Sequence, residues 1–329
     1  MNVSRRTILQ GAMLGGMAAT PAFRAAHAAT PVTFLFPAIG TLLAALPFQL
    51  AQARGYYADN GLAVTFQVAP GGANVAKQVG AGNGDLGLAT ADLPIIVRAN
   101  GVPVRGVALL GGHPVFQLAM RKSAGVTSLK DLKGRKIGVA NYQDASFYSL
   151  LGVMAAEGIT RTDVQVPAVE SAGISQLTIA GSIDGAMALP EQIDAIETAG
   201  TPVDVFPIGD VFPALAQGIL ASDATIRKNP DMVRAFVHAT LRSIASCIAD
   251  PAAATRDYCA FMPAWTGKDG QVERIERRYA TQIYPATPAS SLGRFDPVRL
   301  GQIAKFYYDN KIVQTAVPVE ELYTNDFIG

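Results

Sequence analysis

Lys136-Ile137-Gly138-Val139-Ala140, continuing into Asn141-Tyr142-Gln143-Asp144-Ala145-Ser146-Phe147, decides the fold. The first five residues predict a strand. A helix is predicted from about Ala145 to Glu157, where Phe147, Leu151 and Met154 fall at i, i+4 and i+7 and Gly158 closes the stripe. A strand running straight into a helix leaves the first helical N–H groups facing the space beyond the strand's carboxyl end, where ligands sit in open α/β sheets. Asp144 or Asn141 suits an N-cap there, and capping and ligand binding can coexist at one helix end.

Working outward, the same alternation recurs. Strands are predicted at Val32–Phe36, Leu62–Val68, Leu86–Ala89 and Val104–Leu110, with helices at Leu46–Arg54, Asn74–Val79 and Asp92–Ala99 between them. Beyond the opening segment, Val164–Val166, Ile174–Ala180 and Gly185–Leu189 repeat strand, helix, strand. This is an α/β pattern, and it predicts mostly parallel sheets flanked by helices. Ala81 to Ala89 and Ala180 to Ala188 share Ala, Gly, Asp and Ala at equal offsets, which supports two similar lobes. Thr90-Ala91-Asp92 and Leu189-Pro190-Glu191 then occupy strand-end positions like that of Asn141–Phe147. The last third reads as helices at Asn229–Asp250, Ala252–Phe261, Asp269–Tyr284 and Pro297–Asn310, and Gly111–Pro114 and Gly209–Gly218 are the candidate crossings between lobes.

Composition removes several functions. The 329 residues are half hydrophobic, more than one core usually holds. Lys and Arg number 27 against 26 acids, so no basic face is available for nucleic acid. Three His and two Cys all but exclude zinc cages, iron–sulfur clusters and Cys/His nucleophiles, so no metal and no cofactor is expected. Cys247 and Cys259 are expected as buried thiols, with a disulfide as the alternative. Gly82-Asn83-Gly84-Asp85-Leu86-Gly87 matches the spacing of a dinucleotide fingerprint, but a helix precedes it and a strand follows, the reverse of what the mechanism needs. Phosphate-loop, nucleophile-elbow and zinc-protease motifs are absent, and no catalytic residue is assigned.

At the N-terminus, Ser4-Arg5-Arg6-Thr7-Ile8-Leu9-Gln10 precedes an apolar Gly/Ala-rich run and Ala26-His27-Ala28, a small-x-small cleavage pattern. Residues 1–28 resemble a twin-arginine export signal, so the mature chain is expected in the periplasm. The apolar run is shorter than the roughly 20 residues a membrane span needs. Losing Arg5, Arg6 and Arg24 leaves 24 basic residues against 26 acidic ones, a charge of −2.

Three further stretches carry a family resemblance: Ala51-Gln52-Ala53-Arg54-Gly55-Tyr56-Tyr57 with Asn60-Gly61-Leu62, the Gly82–Ala89 segment, and Val126-Thr127-Ser128-Leu129-Lys130-Asp131-Leu132-Lys133-Gly134-Arg135-Lys136-Ile137-Gly138-Val139. Over about residues 30–329 the chain resembles the periplasmic solute-binding proteins of ABC transporters with the type II two-lobe fold, within the nitrate/sulfonate/taurine and thiamine-pyrimidine precursor group. The resemblance implies lobe I at 29–115 and 214–329, lobe II at 116–213, and a ligand crevice between them. It implies a small-molecule solute and an ABC permease with its ATPase as partners of a monomeric receptor. The crevice loops would be Ile39, Gly40 and Thr41; Thr90, Ala91 and Asp92; Asn141, Tyr142, Asp144, Ser146 and Phe147; and Glu191, with His113 and Phe116 as further candidates. Acids outweigh bases in this set. A neutral or amine-bearing ring such as a pyrimidine is therefore expected over nitrate or a simple sulfonate, with Tyr142, Phe147 and Phe116 as stacking surfaces, although Phe147 also fits the core stripe. An enzyme of the same fold would need a reactive His or Lys in the crevice, and a sensor domain would need a partner receptor.

Overall fold

The structure, a computed structural model, describes residues 28–38 and 43–329. The expected leader, apart from Ala28, and Ile39, Gly40 and Thr41 lie outside the described residues. Among the described residues nine strands follow in chain order: β1 (Thr30–Phe36), β2 (Leu62–Val68), β3 (Leu86–Thr90), β4 (Val104–Leu109), β5 (Gln117–Arg121), β6 (Ile137–Gly138), β7 (Gly185–Ala188), β8 (Val203–Phe206) and β9 (Gln217–Ser222). The α-helices are α1 (Leu46–Ala53), α2 (Tyr56–Asp59), α3 (Gly72–Ala81), α4 (Leu93–Ala99), α5 (Ala145–Ala156), α6 (Glu170–Ile179) and α7 (Pro190–Thr198). The C-terminal third adds α8 (Asp223–Lys228), α9 (Pro230–Ala249), α10 (Pro251–Phe261), α11 (Asp269–Arg278), α12 (Pro297–Asp309) and α13 (Val319–Leu322). Among the described residues no helix is long and apolar enough to cross a membrane.

The strands form two sheets, ordered β2-β1-β3-β9-β4 and β6-β7-β5-β8. The expected mostly parallel sheets prove to be mixed. β9 runs antiparallel to both β3 and β4, and β5 runs antiparallel to both β7 and β8. These two are the strands that each receive the chain as it crosses from the other sheet, so each arrives against the local direction. Neither was read from the sequence, because each lies just beyond a Gly/Pro-rich crossing and is apolar without a clear period. Val164–Val166 is not a strand. It contributes one isolated parallel bridge beside β6, Lys136 with Gln165, and a second follows at Val139 with Ala168.

Each sheet is covered by helices whose apolar faces match it. β7 is buried along its whole length. In the first lobe Phe34 of β1 stacks on Phe236 of α9 with ring centroids 5.0 Å apart, and Tyr57 stacks on the same ring at 4.8 Å. The C-terminal helices thus fold back onto the first sheet. Cys247 and Cys259 are free and buried.

The crossings are tightly held. A Cβ at Gly111 would lie 2.4 Å from the Ile283 carbonyl oxygen, and one at Gly112 would lie 2.3 Å from that of Pro285, so only glycine lets these backbones approach. Arg299 of α12 ties the two crossings together. Its guanidinium donates to the carbonyl of Gly112 at 2.8 Å, to that of Pro213 at 3.0 Å, and to that of Ala214.

Candidate functional site

Where the carboxyl ends of the two sheets face each other, a cavity of about 480 Å³ opens. From the first lobe, Pro37 and Ala38 after β1, Gly71 to Ala73 at the start of α3, and Thr90 and Leu93 after β3 line it. From the second come Ala140, Asn141, Gln143, Asp144 and Ala145 between β6 and α5, Glu170 and Ser171 at the start of α6, and Leu189 before α7. Val115, Phe116 and Gln217 close it from the crossings.

Local sequence explains these walls. Gly71 has φ +82° and ψ 140°, a conformation open to glycine, and its N–H donates to the Pro37 carbonyl at 2.8 Å. That bond fixes the start of α3 against the end of β1. Asp144 caps α5: its Oδ1 accepts from the Ser146 N–H at 2.8 Å and from the Ser146 hydroxyl. Asn141 Oδ1 accepts from the Gln143 N–H at 2.8 Å, folding the preceding turn. Glu170 holds a left-handed backbone with φ +57°, uncommon for a non-glycine residue, at the mouth of the second lobe.

The electrostatics run in two directions. The first turns of α3, α5 and α6 point positive helix ends at the cavity. Asp144 and Glu170 oppose them, and none of the described lining residues is Lys, Arg, His or Cys. Burial pushes the Asp144 carboxyl above its usual range, and the charge of Asp92 adds to the shift. Asp92 is itself buried, accepts from the Tyr307 hydroxyl, and has a second oxygen with no partner among the described residues. Its carboxyl is likewise pushed up by burial. Tyr148 of α5 packs on Tyr307 of α12 at 5.2 Å, so acid and phenol from each lobe meet beside the cavity.

Of the residues expected from the sequence, Thr90, Phe116, Asn141 and Asp144 line the cavity together. Asp92 sits next to it as described, and Ala91 is buried with its N–H on the Ala216 carbonyl at 3.0 Å. Ser146 is engaged in the cap. Tyr142 and Phe147 meet edge to face at 5.2 Å, with the Arg161 guanidinium 4.7 Å from the Phe147 ring and 5.4 Å from that of Tyr142. The Tyr142 hydroxyl donates to the Val166 carbonyl at 2.9 Å. Neither ring is among the lining residues. Glu191 accepts from the Tyr279 hydroxyl at 2.9 Å, and His113 lines a separate cavity of about 310 Å³ beside the crossings. Gly71 to Ala73 and Glu170-Ser171 were not read as site residues. Gly71 to Ala73 follow β2 by the same strand-end rule, whereas Glu170-Ser171 follow only the bridged segment beside β6, and α3 and α6 begin two and four residues earlier than their apolar patterns suggest.

The described lining presents carboxylate and amide side chains together with the N-terminal ends of α3, α5 and α6. Among the described lining residues there is no Cys, Lys or His to serve as nucleophile or base. Residues 44–254 match the family described as NMT1/THI5 like. The riboflavin-binding protein RibY of Chloroflexus aurantiacus is 28% identical over 291 residues, covering 86% of this chain and 82% of that protein. The 4-amino-5-hydroxymethyl-2-methylpyrimidine phosphate synthase THI13 of Saccharomyces cerevisiae is 25% identical over 254 residues, covering 71% and 72%. Among solved structures, the periplasmic aliphatic sulphonate-binding protein SsuA of Escherichia coli superimposes with a TM-score of 0.70 at 16% identity, over 89% of this chain and 91% of that one, which shows a shared fold. A family match over more than half of the chain, on this two-lobe periplasmic-binding-protein fold, makes the chain a member of the NMT1/THI5-like family.

Proposed function

We propose that the protein is an extracytoplasmic receptor that captures a flat, nitrogen-bearing ring compound, in the size range from pyrimidine to flavin, and delivers it to an ABC permease. The cavity carries this reading. At about 480 Å³ it falls within the range of small-molecule sites, and both lobes supply its walls. An ion such as nitrate displaces little more than one or two waters, about 30 to 60 Å³, and would leave most of that space to solvent. Asp144 and Glu170 favour a ligand that donates hydrogen bonds over a simple anion. One relative is named for binding riboflavin and another for synthesising a pyrimidine phosphate, both ring compounds of this kind. Lobe boundaries near 115/116 and 213/214 fall between β4 and β5 and between β8 and β9, so closure would pivot on the crossings that Arg299 ties together. Export through the Arg5-Arg6 leader completes the proposal.

An enzyme reading needs a reactive His or Lys in the crevice, and the described lining supplies neither. The test is calorimetry and thermal shift with riboflavin, an aminopyrimidine, taurine and nitrate. A ring compound at 100 times its dissociation constant should add about 2.7 kcal/mol of stability. Asp144→Asn keeps the cap but removes the charge, and it should weaken an amine-bearing ring about tenfold. Tight taurine or nitrate binding, unchanged or improved in Asp144→Asn, would overturn the assignment.

A further inference from the structure

Away from the cavity, the lobes meet along a second contact. α11 packs on α10 and on the 3-10 turn Leu43–Ala45 before α1, both in the first lobe, and reaches the second lobe through α7. Its Arg274 and Arg278 are spaced i, i+4, and α7 presents Glu191, Asp194 and Glu197 at i, i+3 and i+6, so each set shares a helix face. Arg274 donates to Asp194 through both Nε (2.8 Å) and Nη2 (3.2 Å). Arg278 Nη2 reaches Glu197 at 2.8 Å, and the Tyr279 hydroxyl reaches Glu191 at 2.9 Å. A π-helical turn, Tyr279–Ile283, carries the chain from α11 to the first crossing, where the Ile283 carbonyl accepts from the His113 N–H at 3.2 Å and Gln282 meets Gln117 at 3.1 Å. The contact therefore starts at a crossing and extends over about 12 Å of helix to Arg274.

We propose that Arg274 is a positioning residue that sets the equilibrium between open and closed lobes, with Asp194 as the group that senses separation. Its bearing on affinity rests on the receptor reading above, whereas its effect on lobe separation does not. The asymmetry of the pair gives the reason. The Asp194 side chain is 7% exposed and that of Arg274 is 53% exposed. Without Arg274 a carboxylate stays buried and unpaired as long as the lobes are closed, and opening returns it to water. Without the Asp194 charge, Arg274 simply turns to solvent. Arg278 and Glu197 are a softer version of the same contact, since Glu197 is 40% exposed and keeps its hydration when its partner is lost.

The experiment uses the ligand-free mature chain with spin labels at Lys77→Cys on α3 and Lys130→Cys in the second lobe, read by pulsed dipolar spectroscopy; the buried native cysteines stay unlabelled. Arg274→Gln should at least triple the population at long distance. Asp194→Asn should leave the distribution near that of the parent, and the double variant Arg274→Gln/Asp194→Asn should return to it, a reversal that a general loss of structure would not give. Arg278→Gln should shift the distribution less than Arg274→Gln. An unchanged distribution in Arg274→Gln, a double variant as open as Arg274→Gln alone, or an equal shift in Arg278→Gln would overturn the proposal. If Arg274→Gln opens the lobes as expected while riboflavin and the aminopyrimidine both fail to bind the parent chain, the ligand reading fails and the seam stands.

Discussion

The lobes meet in two places that differ in how their polar groups are satisfied. Around the cavity, Asp144 and Glu170 face space, and Asp92 keeps one oxygen without a partner among the described residues. At the seam, Asp194, Glu197 and Glu191 each receive a donor from α11 or the turn after it, and Glu191 keeps its second oxygen without a partner among the described residues. Acids that face open space in one place can meet a ligand, and acids paired between the lobes in the other fix geometry. On the proposed reading, selectivity and closing tendency rest on different residues, and each should be alterable without the other.

The largest effect should come where the geometry has no slack. Gly112→Val places a side chain against the Pro285 backbone at the first crossing and should cost about 3 kcal/mol or more in urea denaturation. A variant of parental stability would mean that the crossing can yield, and the contrast between a fixed seam and an open cavity would lose its basis.

Next comes Glu276, on the inner side of α11 opposite the seam. It is fully buried, and the thiol of Cys247, a weak donor, is the one polar side chain among the described residues set against its carboxyl. Burial pushes its pKa from the ordinary 4.5 up to about 8. Between these values the unfolded chain has lost the proton and the folded chain keeps it, so stability falls as pH rises, by up to about 1.4 kcal/mol per pH unit. Glu276→Gln should remove that slope and be more stable than the parent at pH 8. Parallel stability curves for the two proteins from pH 5 to 8 would show that Glu276 ionises normally and that α11 is not anchored by a neutral acid.

The smallest effect sharpens the cavity side. Asp144→Ala loses the α5 cap and should cost about 1 kcal/mol, whereas Asp144→Asn should cost a few tenths. Equal losses in the two would mean that the charge, and not the cap, matters to the fold.

Much of this architecture was legible in the sequence because it follows local rules. Leu62–Val68 alternates and is β2, and Gly82 and Gly158 close α3 and α5 near where a left-handed residue was needed. The strand-end rule located Thr90, Asn141 and Asp144 at the cavity. What stayed hidden depends on distant partners. β5 and β9 are defined by the sheets they join, with no clear apolar period of their own. Glu191 reads as a crevice acid from its position after β7, yet Tyr279, 88 residues away, draws its side chain into the seam. Arg161 stands over Tyr142 and Phe147 in the same way, a cation that no spacing in the sequence connects to those rings.

The central claim is that the crevice holds a ring compound and releases it unchanged. Its most direct test is a calorimetric titration of the mature chain with riboflavin and with an aminopyrimidine, followed by mass spectrometry of the ligand recovered after prolonged incubation. The account predicts saturation at one ring compound per chain and recovery of that compound intact. Conversion of the ligand, or saturable binding by nitrate or taurine alone, would contradict it.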